Sequence, residues 1–306
     1  MSKITTYNNV MKIKRVALLA DIVDSKSFED KDRFVLQERL RKIKDILNDV
    51  FKINIMSPFE FSSGDSIQCL LSNPMVAIEC SYLLRTLFYP YRIRCGIGVG
   101  EVNDMLYDES KELFDDGSSN YVDGKAYHLA KDALDIAKIR NDDFFIESED
   151  KFSDFQINYY FSMSSFLRRK NTKTRAKLLN IFEYISPLVD SNNVNHFSDN
   201  FNKCIELLKI DNEILDNYMY MGKFYSELRN IMELNIEPVE HFFDAMLDSH
   251  SGEVEILSRS SDIYISKLLS VSHQNISMIK KRGNMNKIRT TDLLALMYAE
   301  RNYKNG

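Results

Sequence analysis

The stretch RVALLADIVDS, residues 15–25, decides how the first part of the chain folds. It is a short apolar run that ends in acids, of which Asp21 is the first. A second run, FEFSSGDSIQCLL at residues 59–71, carries Asp65 in its middle. Short apolar runs that contain β-branched or aromatic residues and end in turn residues predict buried strands. We therefore predict two neighbouring strands, each of which delivers a carboxylate.

Asp21 and Asp65 are the chemically informative residues of these two strands. An ionised carboxylate in apolar surroundings must be solvated, paired or bound to a cation, because burying it alone is too costly. Two carboxylates on adjacent strands make an oxygen-rich site of the kind that Mg²⁺ prefers, with substrate phosphates completing the coordination. The alternative is that each acid caps a strand end at the surface. For the pair we favour metal binding.

The composition is that of a globular protein with room for two or three domains. The chain has 306 residues, of which 44% are hydrophobic and 28% charged, and its formal net charge is -5. This charge provides no overall attraction to nucleic acid or to anionic membranes, although a local basic surface is compatible with it. The N-terminal apolar run is too short to span a membrane and is interrupted by Asp21. We expect a cytoplasmic protein with no membrane partner.

The cysteines do not predict a structural zinc site. The chain has four of them without a CxxC pair, at Cys69, Cys80, Cys95 and Cys204. Three lie inside apolar runs, where free cysteine behaves as a small buried hydrophobic residue. This usage indicates a reducing compartment.

Apolar spacing predicts the next elements in order. Residues 32–51 predict a surface helix, 75–88 a largely buried helix, 91–102 a strand, 105–120 a loop and 123–140 a further helix. The buried stripe of the first helix is predicted to be Phe34, Leu36, Leu40, Ile43, Leu47 and Val50. The order strand, helix, hairpin, helix, strand, helix predicts an α+β fold of the ferredoxin-like type.

Small residues mark the last strand and the last helix of this region. The strand has three alternate glycines, Gly96, Gly98 and Gly100. They do not have the GxGxxG spacing of a dinucleotide site, so they favour a close backbone approach or a bulge. The helix has a face of alanines, Ala126, Ala130, Ala133 and Ala137. Such a face indicates close packing.

Three regions are predicted along the chain. Residues 1–141 form the α+β domain, 142–250 a helical middle region and 251–306 a C-terminal module. Residues 142–149 are acidic and predict a linker, and the pattern from 152 to about 250 is helical. Near the start of the middle region all charges in one stretch are basic: Arg168, Arg169, Lys170, Lys173, Arg175 and Lys177. A solvated helix or loop explains this stretch better than a phosphate site.

The stretch DIYISKLLSVSHQNISMIKKRG, residues 262–283, predicts a helix-turn-helix. Its second helix exposes polar and basic residues that suit base edges and phosphates: His273, Gln274, Asn275, Ser277, Lys280, Lys281 and Arg282. Residues 262–291 contain six Lys or Arg and one acid, so an acidic chain has one basic end. The alternative is a helical hairpin that packs on its own core or mediates dimerisation, because the turn lacks its usual glycine.

Four motifs together resemble a known family. They are ADIVDS (20–25), SSGDSIQCLL (62–71), RIRCGIGVGEV (92–102) and DGKAYHLAK (123–131). Their order and spacing resemble the SatD-like family, which in turn looks like a branch of the class III nucleotidyl cyclase fold. The resemblance covers residues 14–140 and the C-terminal end, where members of the family also carry a helix-turn-helix-like segment.

The resemblance implies a nucleotide site at the end of the first strand. In class III cyclases the matching positions supply one metal aspartate, here Asp21, and a carbonyl to the second metal, here Ile22. The following amides, here those of Val23, Asp24 and Ser25, bind the triphosphate, and the GD motif supplies the second metal aspartate, here Asp65. The resemblance therefore implies Mg²⁺ or Mn²⁺, a nucleoside triphosphate, and a homodimer with a composite site.

The chain departs from the cyclase pattern at the remaining positions. The lysine that reads the base in cyclases is replaced by Phe61. The transition-state Asn and Arg correspond to Tyr127 and Lys131 in one alignment and to His128 and Asp132 in another. Lys131 retains a positive charge for phosphate but lacks the bidentate fork of arginine.

Two functions are consistent with these observations. The first is an enzyme, a metal-dependent nucleotidyl cyclase or nucleotidyltransferase that acts on a nucleoside triphosphate. The second is a non-catalytic regulator in which the same pocket senses a nucleotide and the C-terminal module binds DNA. The two metal acids are better supported than the rest of a catalytic set.

Overall fold

The computed structural model describes residues 14–113, 117–185, 188, 262–263, 265–266 and 271–303. Every statement about structure below concerns these residues. The predicted helical pattern from 189 to about 250, and Cys204 within it, lie outside the described residues.

Five strands form one mixed sheet. They are β1 (Lys14–Ile22), β2 (Ile55–Ser63), β3 (Ser66–Leu71), β4 (Ile93–Glu101) and β5 (Phe144–Glu147). The strand order is β2-β3-β1-β4-β5. The central strand β1 is antiparallel to both β3 and β4, and β5 lies parallel to β4 at the edge. The predicted hairpin around Gly64 joins β2 to β3.

Eight α-helices accompany the sheet in the described part of the chain. They are α1 (Asp30–Val50), α2 (Pro74–Phe88), α3 (Asp104–Leu113), α4 (Lys125–Arg140), α5 (Lys151–Arg169), α6 (Lys173–Ile185), α7 (His273–Arg282) and α8 (Met285–Tyr303). A short 3-10 turn, Ser25–Ser27, precedes α1. The caps are local in sequence: the side chains of Asn73, Asp150 and Ser272 accept hydrogen bonds from the first turns of α2, α5 and α7. The fold is therefore mixed α+β, as predicted.

The two faces of the sheet have different partners, because side chains of a strand alternate between faces. On one face, residues of β1 such as Leu18 and Ala20 pack against α1 and α2 in the main hydrophobic core. That core also contains residues of α5 to α8, including Phe161, Phe182 and Leu296. One hydrophobic cluster thus includes residues from all three predicted regions, 1–141, 142–250 and 251–306.

Helix α4 covers the other face through a very close contact with β4. A Cβ atom on Gly98 would lie 2.1 Å from the carbonyl oxygen of Ala126, and one on Gly96 would lie 2.2 Å from that of Ala130. No side chain fits between the strand and the helix backbone at these points. The alanine face of α4 is fully buried, as predicted, at Ala126, Ala130, Ala133 and Ala137. The glycines therefore serve close backbone approach.

A buried network of ion pairs joins α8 to α2, α5 and α6. Arg85 of α2 and Arg168 of α5 both contact Glu183 of α6 and Asp292 of α8. Burial raises the pKa of both acids. The positive charges of Arg168 and Arg85 have a larger effect in the opposite direction, so the pKa of each acid lies below its ordinary value. Both acids stay ionised, which such closely paired charges require when they are buried.

Several local predictions are confirmed and three are wrong. Predicted buried residues of α1 such as Leu36 and Leu40 are buried, but Phe34 is 61% exposed. The predicted loop 105–120 contains α3, and the predicted linker 142–149 contains β5. The hydrophobic pattern of α3 is helical, and β5 is an edge strand whose flanking acids are neutralised by arginines.

The described cysteines behave as predicted. Cys69, Cys80 and Cys95 are free and fully buried. Burial raises the pKa of all three thiols, so these side chains stay neutral. Among the helices of the described residues, none is long and apolar enough to cross a lipid bilayer.

The contact between β4 and α4 predicts a sharp glycine effect. Gly98→Ala should destabilise the protein by about 3 kcal/mol, because a new methyl group displaces the backbone of α4. Denaturant unfolding measures the change. Gly64→Ala is the matched control, since its Cβ would meet the flexible end of Gln37 at 3.1 Å. Equal stability of the two variants would contradict the packing role of Gly98.

Candidate metal centre

The two predicted metal acids lie next to each other at one end of β1. Asp21 is paired with Ser66 of β3 on one side and with Arg94 of β4 on the other. Asp65 immediately precedes β3, and its carbonyl oxygen accepts a hydrogen bond from the N–H of Ile22 at 3.2 Å. The hairpin therefore brings Asp65 to the residue that follows Asp21.

Asp21 is largely buried, and one of its two carboxylate oxygens makes no hydrogen bond. Its side chain is 14% exposed, and Oδ2 lies 3.0 Å from Nζ of Lys138. Oδ1 lies 3.9 Å from a guanidinium nitrogen of Arg94 and makes no hydrogen bond. Burial raises the pKa of Asp21 above its ordinary value, as does the charge of Asp65, while Lys138 and Arg94 lower it. A buried carboxylate oxygen that makes no hydrogen bond is a position where a cation can bind.

Asp65 is held by serine hydroxyl groups. Ser25 donates a short hydrogen bond from Oγ to Oδ2 of Asp65. Ser63 donates to Oδ1 at 3.5 Å, a weak contact. Ser25 is 8% exposed and opens the 3-10 turn that precedes α1. The turn and the hairpin are thus joined at the carboxylate of Asp65.

The predicted phosphate-binding segment follows β1 directly. Ile22 and Val23 have buried side chains, and the N–H of Val23 donates to the carbonyl of Arg92 at 3.0 Å. Asp24 is exposed and has a left-handed backbone with φ 56. That conformation turns the chain sharply into the 3-10 turn, where Asp24 and Ser25 lie. The amide of Val23 is already engaged by its hydrogen bond to Arg92.

The predicted transition-state residues lie elsewhere on α4. Tyr127 is buried among Ala17 and Leu70, its hydroxyl makes no hydrogen bond, and burial raises its pKa. Lys131 is exposed, and so are the alternatives His128 and Asp132. The end of α4 that lies at Asp21 carries Lys138, and Tyr127 is eleven residues earlier, roughly 16 Å along the helix.

The sequence reasoning missed Lys138 and Arg94 as residues of this site. Arg94 belongs to the same alternating positions of β4 as Gly96 and Gly98, which face α4. Lys138 continues the four-residue spacing of the buried face of α4, whose members are Ala126, Ala130 and Leu134. Arg94 and Lys138 therefore lie on the same faces of β4 and α4 as the small residues that predicted close packing. Phe61, at the base-reading position, packs against the main core instead.

Helix α7 exposes most of the predicted DNA-binding residues. The exposed ones are His273, Gln274, Asn275, Ser277, Lys281 and Arg282. Lys280 differs: it is 6% exposed, and its Nζ lies 2.8 and 2.9 Å from the two carboxylate oxygens of Asp262. Arg289, which we counted in the basic end, is 2% exposed and lies 3.7 Å from Glu183. The accessible basic surface is smaller than the sequence predicted.

Among the described residues, Asp21 and Asp65 belong to no larger cluster of metal ligands. In this part of the chain, no group of three or more His, Cys, Asp or Glu lies close enough to hold a metal ion by itself. Mg²⁺ is commonly held by one or two carboxylates, with waters and substrate phosphates as the other ligands. Asp21 and Asp65 fit such a site.

Comparison with known proteins identifies the family. The model of the SatD family matches residues 15–215, about two thirds of the chain. The chain therefore belongs to the SatD family. A search of curated proteins finds no match. The family match includes β5, α5 and α6, which we had placed outside the resemblance, and it does not include the C-terminal end, where we had expected it.

The pairing of Asp21 with Lys138 predicts an energetic coupling. Lys138→Met and Asp21→Asn should be non-additive by about 1 kcal/mol, because each change removes the partner of the other. Denaturant unfolding of both single variants and the double variant measures the coupling. Lys131→Met is the matched control on the same helix and should be additive with Asp21→Asn. Additivity of the Lys138 pair would contradict the contact.

Proposed function

We propose that this chain is a metal-dependent nucleotide-binding protein that acts on a nucleoside triphosphate. The observation that carries the proposal is the placement of Asp21 beside Asp65, with one oxygen of Asp21 buried and without a hydrogen bond. Asp21 and Asp65, with the carbonyl of Ile22, would hold Mg²⁺ or Mn²⁺. When bound, the metal supplies positive charge that orients and neutralises phosphate oxygens.

The architecture supports a ferredoxin-like nucleotidyl cyclase or palm domain. The chain follows the order β1, α1, β2, β3, α2, β4, and the strands lie in the order β2-β3-β1-β4. This is the element order of the split βαβ arrangement. In the proposal, β1 and the β2–β3 hairpin carry the two acids, and α4 is an addition that brings Lys138 to them.

The residues around Asp21 have different roles in this proposal. Lys138 is 43% exposed, so its ammonium group is free to move from the carboxylate to a phosphate. Arg94 is 8% exposed and its Nε donates to the carbonyl of Asp142 at 3.3 Å, so it stays in place as a fixed positive charge. Asp24 and Ser25 offer backbone amides at the turn.

The reaction we propose is nucleotidyl transfer. A hydroxyl oxygen, such as the ribose 3′ oxygen of the same nucleotide, bonds to the α-phosphorus, its proton passes to a base or to water, and pyrophosphate leaves. Lys131 lies roughly 10 Å along α4 from Lys138 and is not beside Asp21. The enzyme proposal includes a homodimer in which the second chain supplies Lys131, because the class III cyclases that the family resembles have composite sites. Tyr127 has no place in it, because its hydroxyl is enclosed.

The test of the enzyme is product formation. The intact chain is incubated with each nucleoside triphosphate and Mg²⁺ or Mn²⁺, and the products are resolved by mass spectrometry. Asp21→Asn and Asp65→Asn should each reduce product formation by about 100-fold or more, because both remove a metal ligand. Asp45→Asn, an exposed acid of α1, is the matched control. Unchanged turnover in both site variants would refute the enzyme.

A second candidate is a non-catalytic regulator that senses a nucleotide and binds DNA. The observation that favours it is the exposed surface of α7. Its first turn exposes His273, Gln274 and Asn275, and its last turn exposes the cations Lys281 and Arg282. Short polar side chains early in a helix suit base edges, and the cations suit phosphates. The proposal leaves out Lys280, whose charge is engaged by Asp262.

The regulator predicts salt-dependent DNA binding by the intact chain. Replacing Lys281 and Arg282 with Gln together should weaken binding and reduce the salt slope by about two, because each phosphate contact contributes about one. Fluorescence anisotropy at several salt concentrations measures both quantities. The double change Lys31→Gln and Lys52→Gln is the control, because it removes the same charge from α1 and from the second residue after α1. An equal effect of the two pairs would contradict a role for α7.

A further inference from the structure

Helix α5 covers the edge of the sheet at β5 with its inner side. Asn158 accepts a hydrogen bond from the N–H of Ile146 and donates one to the carbonyl of the same residue, both at 2.8 Å. The carboxylate of Asp154, one turn earlier, accepts a hydrogen bond from the N–H of Ser148 at 2.8 Å. These side chains satisfy backbone groups that a further strand would otherwise bind. The sheet edge thus explains the inner side of α5, but not its outer side.

The outer side of α5 carries a row of exposed aromatic residues, which we call the aromatic stripe. It consists of Phe152, Phe155, Tyr159 and Phe166, which are 68%, 65%, 54% and 47% exposed. Residues 155–167 contain no charged residue. Contiguous apolar patches are uncommon on surfaces that meet only water, and they mark interaction sites. The aromatic stripe therefore indicates a contact surface.

The spacing of the aromatic stripe is that of a coiled-coil seam. Phe152, Tyr159 and Phe166 are seven residues apart, and Phe155 lies three residues after the first of them. These are the a and d positions of a heptad, in which Ser162 occupies the remaining position. The stripe runs for roughly 21 Å along the helix. A second helix with the same spacing fits such a seam.

The charges at the two ends of α5 favour a second copy of this helix in the opposite direction. Residues 147–154 contain four acids and one lysine, and residues 168–170 are all basic. An antiparallel pair centred on Tyr159 places the exposed Asp150 of each chain near the exposed Lys170 of the other. The helix dipoles also favour this direction. An anionic lipid surface favours basic residues along the whole helix, which the acidic end of α5 does not provide.

The exposed area of the aromatic stripe suits a dimer contact. A fully buried aromatic side chain contributes roughly 150–250 Å², so the exposed fractions correspond to roughly 450 Å² per chain. Two copies would bury roughly 900 Å² through these aromatic residues alone. Gln156 and Met163, which are half-buried beside the stripe, add to this area. Since specific interfaces begin at roughly 1,000 Å², the stripe is large enough for a small one.

We propose that two copies of this chain associate through an antiparallel contact of their α5 helices. Tyr159 lies on the two-fold axis and meets its own copy, and Phe152 of each chain meets Phe166 of the other. This contact goes beyond the proposed function. It is separate from the contact that would supply Lys131, because Lys131 belongs to α4, which covers the other face of the sheet.

Single cysteines test the contact and its direction. Cys204 is replaced with Ser in every variant, and the cysteines of the described residues are buried. Under mild oxidation Tyr159→Cys should form a disulfide-linked dimer. Phe152→Cys and Phe166→Cys should each fail to link alone but should link when they are mixed, because equal positions lie roughly 21 Å apart in the antiparallel pair. Linking of Phe152→Cys to itself, or no link in any variant, overturns the proposal.

A charge at the centre of the aromatic stripe tests its strength. Tyr159→Lys places two ammonium groups against each other at the two-fold axis, so it should weaken self-association about 30-fold or more. Phe34→Lys changes an aromatic residue of α1 that is 61% exposed, and it is the matched control. Sedimentation equilibrium of the intact chain measures both variants. It is done without nucleotide or metal, so its outcome does not depend on the proposed function.

The other possible occupants of the stripe give different outcomes. If Tyr159→Lys lowers the stability to denaturant but leaves the mass of the particle unchanged, another part of the same chain covers the stripe. If the unaltered chain is monomeric at high micromolar concentration and binds vesicles of anionic phospholipid, the stripe contacts lipid. Either result overturns the proposal, as do equal association constants for Tyr159→Lys and Phe34→Lys.

Discussion

The contact between the backbone of α4 and the glycine face of β4 is the constraint on which the candidate site depends. At Gly96 and Gly98 the helix backbone occupies the space where a side chain would be, so the distance between helix and sheet is set by the absence of Cβ atoms. Residues spaced by four lie on one side of a helix. The same side that buries Ala126 and Ala130 therefore delivers Lys138 to the end of β1, where Asp21 lies.

The opposite face of the sheet is organised by apolar packing and by a few buried charges. The main core joins the sheet to α1, α2 and α5 to α8, so the C-terminal helices are part of the same packed body. Tyr303 of α8 donates a hydrogen bond to Asp154 of α5 at 2.6 Å, and Tyr82 of α2 donates to the carbonyl of Asp292 at 2.9 Å. Such contacts fix the position of α8 more specifically than apolar packing does. Exposed α7 is thereby held at a defined place on the molecule.

The sequence allowed most of the first 140 residues to be predicted, because the relevant signals are local. Apolar spacing located α1, α2, β4 and α4, and turn residues located the hairpin that carries Asp65. What it missed depends on tertiary partners. The edge strand β5 is only four residues long. Asp142 and Asp143 before it have the polar pattern of a linker in the sequence, and only the folded structure shows that Arg169 and Arg92 neutralise them. The sequence likewise predicts Lys280 to be a surface cation, whereas in the structure it forms a buried ion pair with Asp262.

The candidate site was predictable in part for the same reason. Strand-end acids are visible in a sequence, so Asp21 and Asp65 were identified together. Their counter-ions were not, because Lys138 is more than a hundred residues from Asp21 and is joined to it by the approach of α4 to the sheet. The glycines of β4 and the alanines of α4 each predicted close packing, but not that the two faces pack on each other. Nor did they show which residue the packing carries to the strand end.

The turn at residues 141–143 is held by arginines from two directions. On one side, Arg94 donates to the carbonyl of Asp142 at 3.3 Å and stands beside Asp21. On the other side, Arg169 of α5 donates to the carbonyl of Asn141 at 2.7 Å. Asn141 also ends α4, in a left-handed conformation with φ 55, three residues after Lys138. Because the turn is held from both sides, its position sets where the last turn of α4 lies relative to β1. The distance between Lys138 and the carboxylate of Asp21 therefore depends on the hydrogen bonds that Arg94 and Arg169 make to this turn.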